Sequence, residues 1–194
     1  MAPFIMDFGD LNRYLLRDES SDDPYQALVN AHTYEDDHHW PWYLDDVSAL
    51  GHDARRSTTD VLRELYSARM AVNRLLAARL AHIVIDAAPI ERLVVIEAIE
   101  ATGNVLFTYT ADLARRVERD EGIELRYLGD FHLALESGHA RTGNDDAKLA
   151  AIDLDDSQRS RCQSLVIQVF DLFTAWVAEL LAYANTANRQ ARAA

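Results

Sequence analysis

Apolar residues recur every three or four positions through most of this chain, which is the period of an α-helix buried along one face. The pattern is clear after Ser57, where Val61, Leu62, Leu65, Leu76 and Leu80 follow it. No segment shows the sustained alternation of a β-strand, and only seven glycines and four prolines interrupt the chain. The pattern predicts an all-α protein, folded as a single compact bundle of five to six long helices.

Cap and stop residues set the expected bounds of these helices. Asp23 and Pro24 suit a helix start, Gly51 suits a helix end, and Pro41 predicts a kink between them. The predicted helices cover about 23–50, 57–87, 90–118, 125–140 and 157–184. As domains, we expect an irregular lead-in at 1–22 with a short helix near Leu11, a bundle at 23–184 containing an acidic loop at 141–156, and a frayed polar tail at 185–194.

Composition and charge narrow the classes of partner. Nineteen basic and 32 acidic residues give a net charge of −13, which argues against nonspecific binding to nucleic acid or to anionic membranes. The longest apolar run is five residues, so no membrane-spanning segment is expected. The single Cys162 excludes an intrachain disulfide, and the absence of a signal peptide favours the cytoplasm. Amphipathic helices would also allow a homodimer.

Three short motifs place metal-competent side chains at helical spacing among apolar neighbours. They are His32-Thr-Tyr-Glu35-Asp-Asp-His38-His39, Glu97-Ala-Ile-Glu100-Ala-Thr-Gly103-Asn104 and His132-Leu-Ala-Leu-Glu136-Ser-Gly-His139. Buried ionisable groups are costly unless they are paired or bind a cation. Three such faces in one helical domain therefore predict a metal site or a catalytic site.

Helical geometry ranks the residues of the first motif. His38 and His39 differ by about 100° around a helix, so they cannot both face one centre. His32, Glu35 and His39 form the tighter stripe and are the favoured ligands, with His38 at the surface or behind the ligands.

The second and third motifs add carboxylates and imidazoles. Glu97 and Glu100 share a largely apolar face, where each should raise the pKa of the other unless a cation intervenes. Gly103 interrupts the same helix, which hints at a close approach of backbone or ligand. His132 and Glu136 lie four residues apart, and His139 continues their stripe. A structural polar network without chemistry is the alternative for each motif.

These motifs resemble those of the haem-oxygenase-like superfamily, the all-helical group that includes haem oxygenases, TenA-type enzymes, PqqC and the haem-oxygenase-like di-iron oxidases. The resemblance lies in the early helix that ends in Trp-Tyr-Leu-x-Asp-x-x-x-Leu-Gly, from Trp42 to Gly51, and in the paired glutamates of a middle helix. It continues in Tyr127-Leu-Gly-Asp-Phe-His132-x-x-x-Glu136-x-x-His139, and spans about residues 25–180.

The resemblance to the di-iron oxidases implies an iron-dependent oxidase or oxygenase that acts on a small organic substrate. The implied metal ligands are His32, Glu35, His39, Glu100, His132 and Glu136, and the implied catalytic groups are Glu97, His132 and His139. His32 lies where a glutamate is more usual in that group, and Glu136 where an aspartate is. Two alternatives stay open: a cofactor-free, PqqC-like acid–base oxidase, and a ligand-binding protein without catalysis.

Overall fold

The computed structural model describes the backbone of residues 1–139 and 149–193, and the side chains of 1–136 and 149–186. The helices are α1 (Ala2–Leu11), α2 (Pro24–Asp36), α3 (Trp40–Ala49), α4 (Thr58–Leu65), α5 (Ala71–Val84), α6 (Pro89–Glu121), α7 (Asp130–His139) and α8 (Asp156–Ala193). A π-helical turn at Asn12–Leu16 follows α1, and a 3₁₀ turn at Ala68–Met70 precedes α5. No strand occurs in these residues, so the all-α prediction is confirmed.

The long helix α6 organises the packing. It contacts α8 along one side and α2 and α7 along others, while α5 packs on α8 and α1 packs on α5. Its buried Leu93, Val95 and Ile96 join Val169 and Trp176 of α8 in the main core. Because α2, α6 and α7 carry the three polar motifs, this arrangement turns the motifs toward one another.

The expected irregular lead-in at residues 1–22 is wrong, because most of it is helical. The helix α1 and the following π-helical turn bury Phe4, Ile5, Leu11 and Leu16. Phe4 packs edge-on against Phe173 and Trp176, as aromatic rings prefer. The N-terminal segment is therefore part of the core.

The expected kinked helix at 23–50 is two helices separated by Asp37, His38 and His39. Asp23 caps α2 as expected, accepting hydrogen bonds from the backbone N–H groups of residues 25 and 26. Pro41 lies in the first turn of α3, where its missing N–H costs nothing, so the proline helps to start a helix instead of kinking one.

Other predicted bounds also change. The segment 57–87 is divided near Ser67, whose backbone is extended and whose hydroxyl donates to the carbonyl of Glu64. The fourth helix begins at Asp130 instead of 125, and the last helix continues through the expected tail as far as Ala193. Half of the acidic loop, residues 141–148, lies outside the described residues.

The helix α8 contains one segment that bears on the expectation about membrane-spanning segments. By length and composition, Asp156–Thr186 could cross a membrane: an 18-residue window within it has a mean hydropathy of 1.7, and 22% of that window is buried. The length of uninterrupted apolar runs does not indicate this segment, because Asp171 and Glu179 break up the runs without making the whole window polar.

Candidate metal centre

His132 is held in one orientation by the loop that precedes its helix. Its Nδ1 lies 2.9 Å from the carbonyl oxygen of Tyr127, and only 2% of the side chain is exposed. Because that carbonyl can only accept, Nδ1 carries the proton and donates. In the neutral ring, Nε2 then presents its lone pair to the interior, as in metal-binding histidines.

Three donor atoms meet in front of this nitrogen. His132 Nε2 lies 2.9 Å from Glu136 Oε1 and 3.2 Å from His39 Nδ1, and the last two atoms are 3.9 Å apart. All three residues, which we call the His–Glu cluster, are buried. Ligand atoms about 2.0–2.2 Å from a common ion would lie roughly 3–3.6 Å from one another, so a small movement of His39 toward Glu136 would let the three atoms hold one transition-metal ion.

His39 reaches the cluster because of the break between α2 and α3. Arg17 holds the end of α2, donating to the carbonyl of Thr33 at 2.8 Å and to Asp37 Oδ2 at 2.7 Å. Gly9 of α1 packs on the break so closely that a Cβ would lie 3.0 Å from the carbonyl oxygen of Asp37. The His39 ring then stacks on Trp42, with centroids 4.5 Å apart.

A second histidine bridges two carboxylates beside the cluster. His32 Nδ1 lies 2.7 Å from Glu100 Oε1, and its Nε2 lies 3.3 Å from Glu97 Oε1. Burial opposes protonation, but the hydrogen bonds to Glu100 and Glu97 outweigh it and raise the pKa of His32 to about 11. The ring is thus cationic at neutral pH in the metal-free protein. If an ion replaced that proton at Nδ1, Glu97 would orient the imidazole from its other nitrogen.

Carboxylates crowd the space between these two groups. Burial raises the pKa of Asp36 well above its usual range, and the charges of Glu136 and Glu100 raise it further. Burial also raises the pKa of Glu100; His32 opposes this shift, while Glu136 and Glu97 add to it. Asp36 Oδ1 lies 3.9 Å from His39 Nδ1. So much negative charge in a dry site would be stabilised by bound cations, and mixed imidazole and carboxylate ligands suit iron, manganese or zinc.

Aromatic rings enclose the His–Glu cluster. The rings of Phe107 and Tyr127 have centroids 4.1 and 4.5 Å from that of His132. Trp42 covers His39, and the Arg126 guanidinium lies 4.3 Å from the Trp42 ring. These rings exclude water, which strengthens electrostatic interactions inside the site.

Asp46 anchors the loop that orients His132. Its two carboxylate oxygens accept the backbone N–H groups of Arg126 and Leu128 at 2.7 and 2.8 Å. The carbonyl of Tyr127 lies between these two anchors. Gly129 completes the turn, since a Cβ there would lie only 2.1 Å from the carbonyl oxygen of Leu125. Asp46 therefore acts as a positioning residue for His132.

The structure brings together most of the residues that the sequence suggested. His32, His39, Glu97, Glu100, His132 and Glu136 all contribute to this centre. Glu35 does not, because it lies on the exposed side of α2, and His38 in the break after α2 is exposed as well. The side chain of His139 lies outside the described residues.

Asp36 is the residue that sequence reasoning missed. Glu35 is three residues after His32 and four before His39, whereas Asp36 is four after and three before. Both spacings satisfy the helical rule, so periodicity could not choose between them. The choice is made by the end of α2 at Asp36, which turns this carboxylate inward and leaves Glu35 outside.

Comparisons with known proteins identify no family for this chain. No protein-family model matches the chain, and a comparison with curated proteins finds no match. The haem-oxygenase-like assignment therefore stays a prediction.

Proposed function

We propose that this protein is an iron-dependent oxidase or oxygenase of the haem-oxygenase-like group, with two iron ions, acting on a small organic substrate. The observation that carries the proposal is the convergence of His39 Nδ1, His132 Nε2 and Glu136 Oε1 in a buried site. These residues would hold one ion with Asp36 beside them. His32 and Glu100 would hold the other, with Glu97 behind His32.

The chain's own groups have distinct tasks in this proposal. The carbonyl of Tyr127 and the carboxylate of Glu97 hold the outward nitrogens of His132 and His32, so that the inward nitrogens face the centre. Asp36, whose pKa burial raises well above its usual range, can hold a proton when the ions are absent. Bound iron would supply the activation of O₂ and the exchange of electrons with the substrate.

The first test is iron content after anaerobic loading with Fe(II), followed by optical spectra on adding O₂. We expect nearly two iron ions per chain and an oxygen-dependent absorption band. Two neighbouring pairs of variants provide matched controls. His39→Ala should lower iron content where His38→Ala does not, and Asp36→Asn should weaken iron binding where Glu35→Gln does not.

The results separate the alternatives. Equal iron content in the two members of each pair would show that the centre is wrongly assigned. If each chain binds one ion, and if that ion is lost in His132→Ala but kept in His32→Ala, the metal site consists of the His–Glu cluster alone.

A cofactor-free acid–base oxidase is the second candidate, and the hydrogen-bonded pair of His32 and Glu100 favours it. In the metal-free protein this pair is a buried acid and base 2.7 Å apart, a geometry suited to proton transfer. Turnover that survives complete chelation and is lost in Glu100→Gln would support this candidate against iron. A protein that neither binds iron nor turns over substrate would leave only the ligand-binding alternative.

A further inference from the structure

A small cavity adjoins the proposed iron centre. Its volume is about 70 Å³, and its polar side chains include Asp36, His39, Glu100, His132 and Glu136. The rest of the wall is mostly apolar or aromatic, and no lysine or arginine is found among the described residues that line it. Since a water molecule occupies about 30 Å³ of liquid, the cavity holds one small chemical group beside the centre.

Gly103 of α6 leaves open part of the cavity wall. Glycine destabilises a helix interior relative to alanine, so its presence here needs a reason. Backbone crowding is not that reason, because a Cβ would meet only the Phe107 ring, at 3.6 Å, which is ordinary van der Waals contact. A side chain at this position would instead project into the space beside the cavity lining.

An apolar groove lies on the other side of the same wall. It runs between α6 and α8, has a volume of about 680 Å³, and includes the exposed Val105, Tyr109 and Val177. Four residues line both the groove and the cavity: Thr102, Leu106, Phe173 and Trp176. The groove is thus separated from the cavity by a single layer of side chains.

We infer that the substrate is an amphiphile with a small polar end and an apolar chain. This inference rests on the proposed function. The polar end lies in the cavity beside the centre, where imidazole and carboxylate groups can hydrogen-bond to it, and the chain displaces the Leu106 side chain to reach the groove.

The experiment uses straight-chain alcohols, from 1-butanol to 1-octanol, as probes of the iron-loaded full chain. Binding is followed by tryptophan fluorescence, because Trp40 and Trp176 lie in the cavity wall. We expect saturable binding that tightens by roughly fourfold per methylene while the chain stays in apolar surroundings.

Variants of α6 locate the bound chain. Gly103→Leu fills the cavity and should weaken 1-octanol binding by about tenfold or more, with iron content unchanged. Arg116→Leu adds the same side chain at an exposed position of α6 outside both spaces and should change neither. If Gly103→Leu does not fold, Gly103→Ala gives a smaller loss of affinity in the same direction.

Failure of this inference is distinguishable from failure of the proposed function. Iron binding without saturable alcohol binding, or with binding that ignores Gly103→Leu, overturns the inference alone. If the protein takes up no iron but binds alcohols in a way that depends on Gly103, the proposed function is contradicted and the apolar site is supported. If the wild type sediments as a dimer that Val105→Asp and Val177→Asp convert to a monomer, and if Gly103→Leu also leaves alcohol binding intact, the groove is an interface between two copies of this chain.

Discussion

Two polar groups in this protein differ in the kind of contacts that their atoms make. In the first, the Trp176 indole donates to Asn73 Oδ1 at 2.7 Å, and the Glu179 carboxylate accepts the N–H groups of Val72 and Asn73 at the start of α5. Each of these contacts joins an N–H donor to an oxygen acceptor. We call this group, Asn73, Trp176 and Glu179, the capping cluster.

The contacts of the His–Glu cluster are of a different kind. The Nδ1 of His39, the Nε2 of His132 and an oxygen of Glu136 lie 2.9–3.9 Å apart, and each of these atoms can present a lone pair. Each contact among them therefore needs a proton or a metal ion between its two atoms. The contacts of the capping cluster need no added cation, whereas the His–Glu cluster can take either a proton or a metal ion.

The largest expected effect is the gain in stability on metal binding at the His–Glu cluster. Fe(II) at about a thousand times its dissociation constant should raise the free energy of unfolding by about 4 kcal/mol, because the ion binds the folded state. Anaerobic chemical denaturation with and without Fe(II) measures this gain. In the triple variant His39→Leu, His132→Leu and Glu136→Leu, the share of the gain that comes from this cluster should disappear, while the metal-free variant should be as stable as the wild type or more so, since apolar packing replaces the whole buried polar group. An equal gain in wild type and variant would refute the comparison.

The capping cluster should behave in the opposite way. Asn73→Ala leaves the buried Trp176 N–H without its acceptor and should lower the free energy of unfolding by about 1–3 kcal/mol. Iron content should not change, since none of the three residues belongs to the centre. A double variant with Trp176→Phe, which removes the donor as well, should recover part of the loss. If Asn73→Ala abolished iron binding in a folded protein, the two clusters would not be independent.

Asp46 has a feature of each group. Its oxygens accept hydrogen bonds from N–H donors, as in the capping cluster, and the loop that it holds supports the His–Glu cluster. In Asp46→Asn, one carboxylate oxygen becomes an NH₂ group that faces a backbone N–H, so the loop at 125–129 should loosen. We expect iron affinity to fall by about 10–100-fold, as for other residues that orient a ligand from behind. Competitive titration against a chelator measures it. Asp45→Asn, at the preceding, exposed position, is the matched control, and a loss of stability without a loss of iron affinity would reject the positioning role.

The sequence was sufficient for the features that repeat along a helix and insufficient for those that depend on its ends. Periodicity identified His132 with Glu136 and Glu97 with Glu100, because each pair lies within one helix. It chose Glu35 over Asp36 because the end of α2 is set by contacts from Arg17 and Gly9, which lie in a segment expected to be irregular. His39 was selected as part of a continuous helical stripe, but it faces the centre from a helix break. The capping cluster joins α5 to α8 across more than a hundred residues and has no local signal.

The last expected effect is a dependence of stability on pH that arises from His32. Its pKa is raised from about 6.5 in the unfolded chain to about 11 in the metal-free fold, so its stabilising contribution is complete below about pH 6.5 and is lost as the pH rises through 11. The free energy of unfolding of the metal-free protein should therefore fall between pH 7 and 10 by more in the wild type than in His32→Gln. His38→Gln, which changes an exposed histidine just beyond the end of α2, should follow the wild type. Parallel curves for wild type and His32→Gln would mean that His32 is not held as a cation between Glu97 and Glu100. In that case the His32 side of the centre would resemble the His–Glu cluster, because a metal ion would be needed there to balance the charge of the carboxylates.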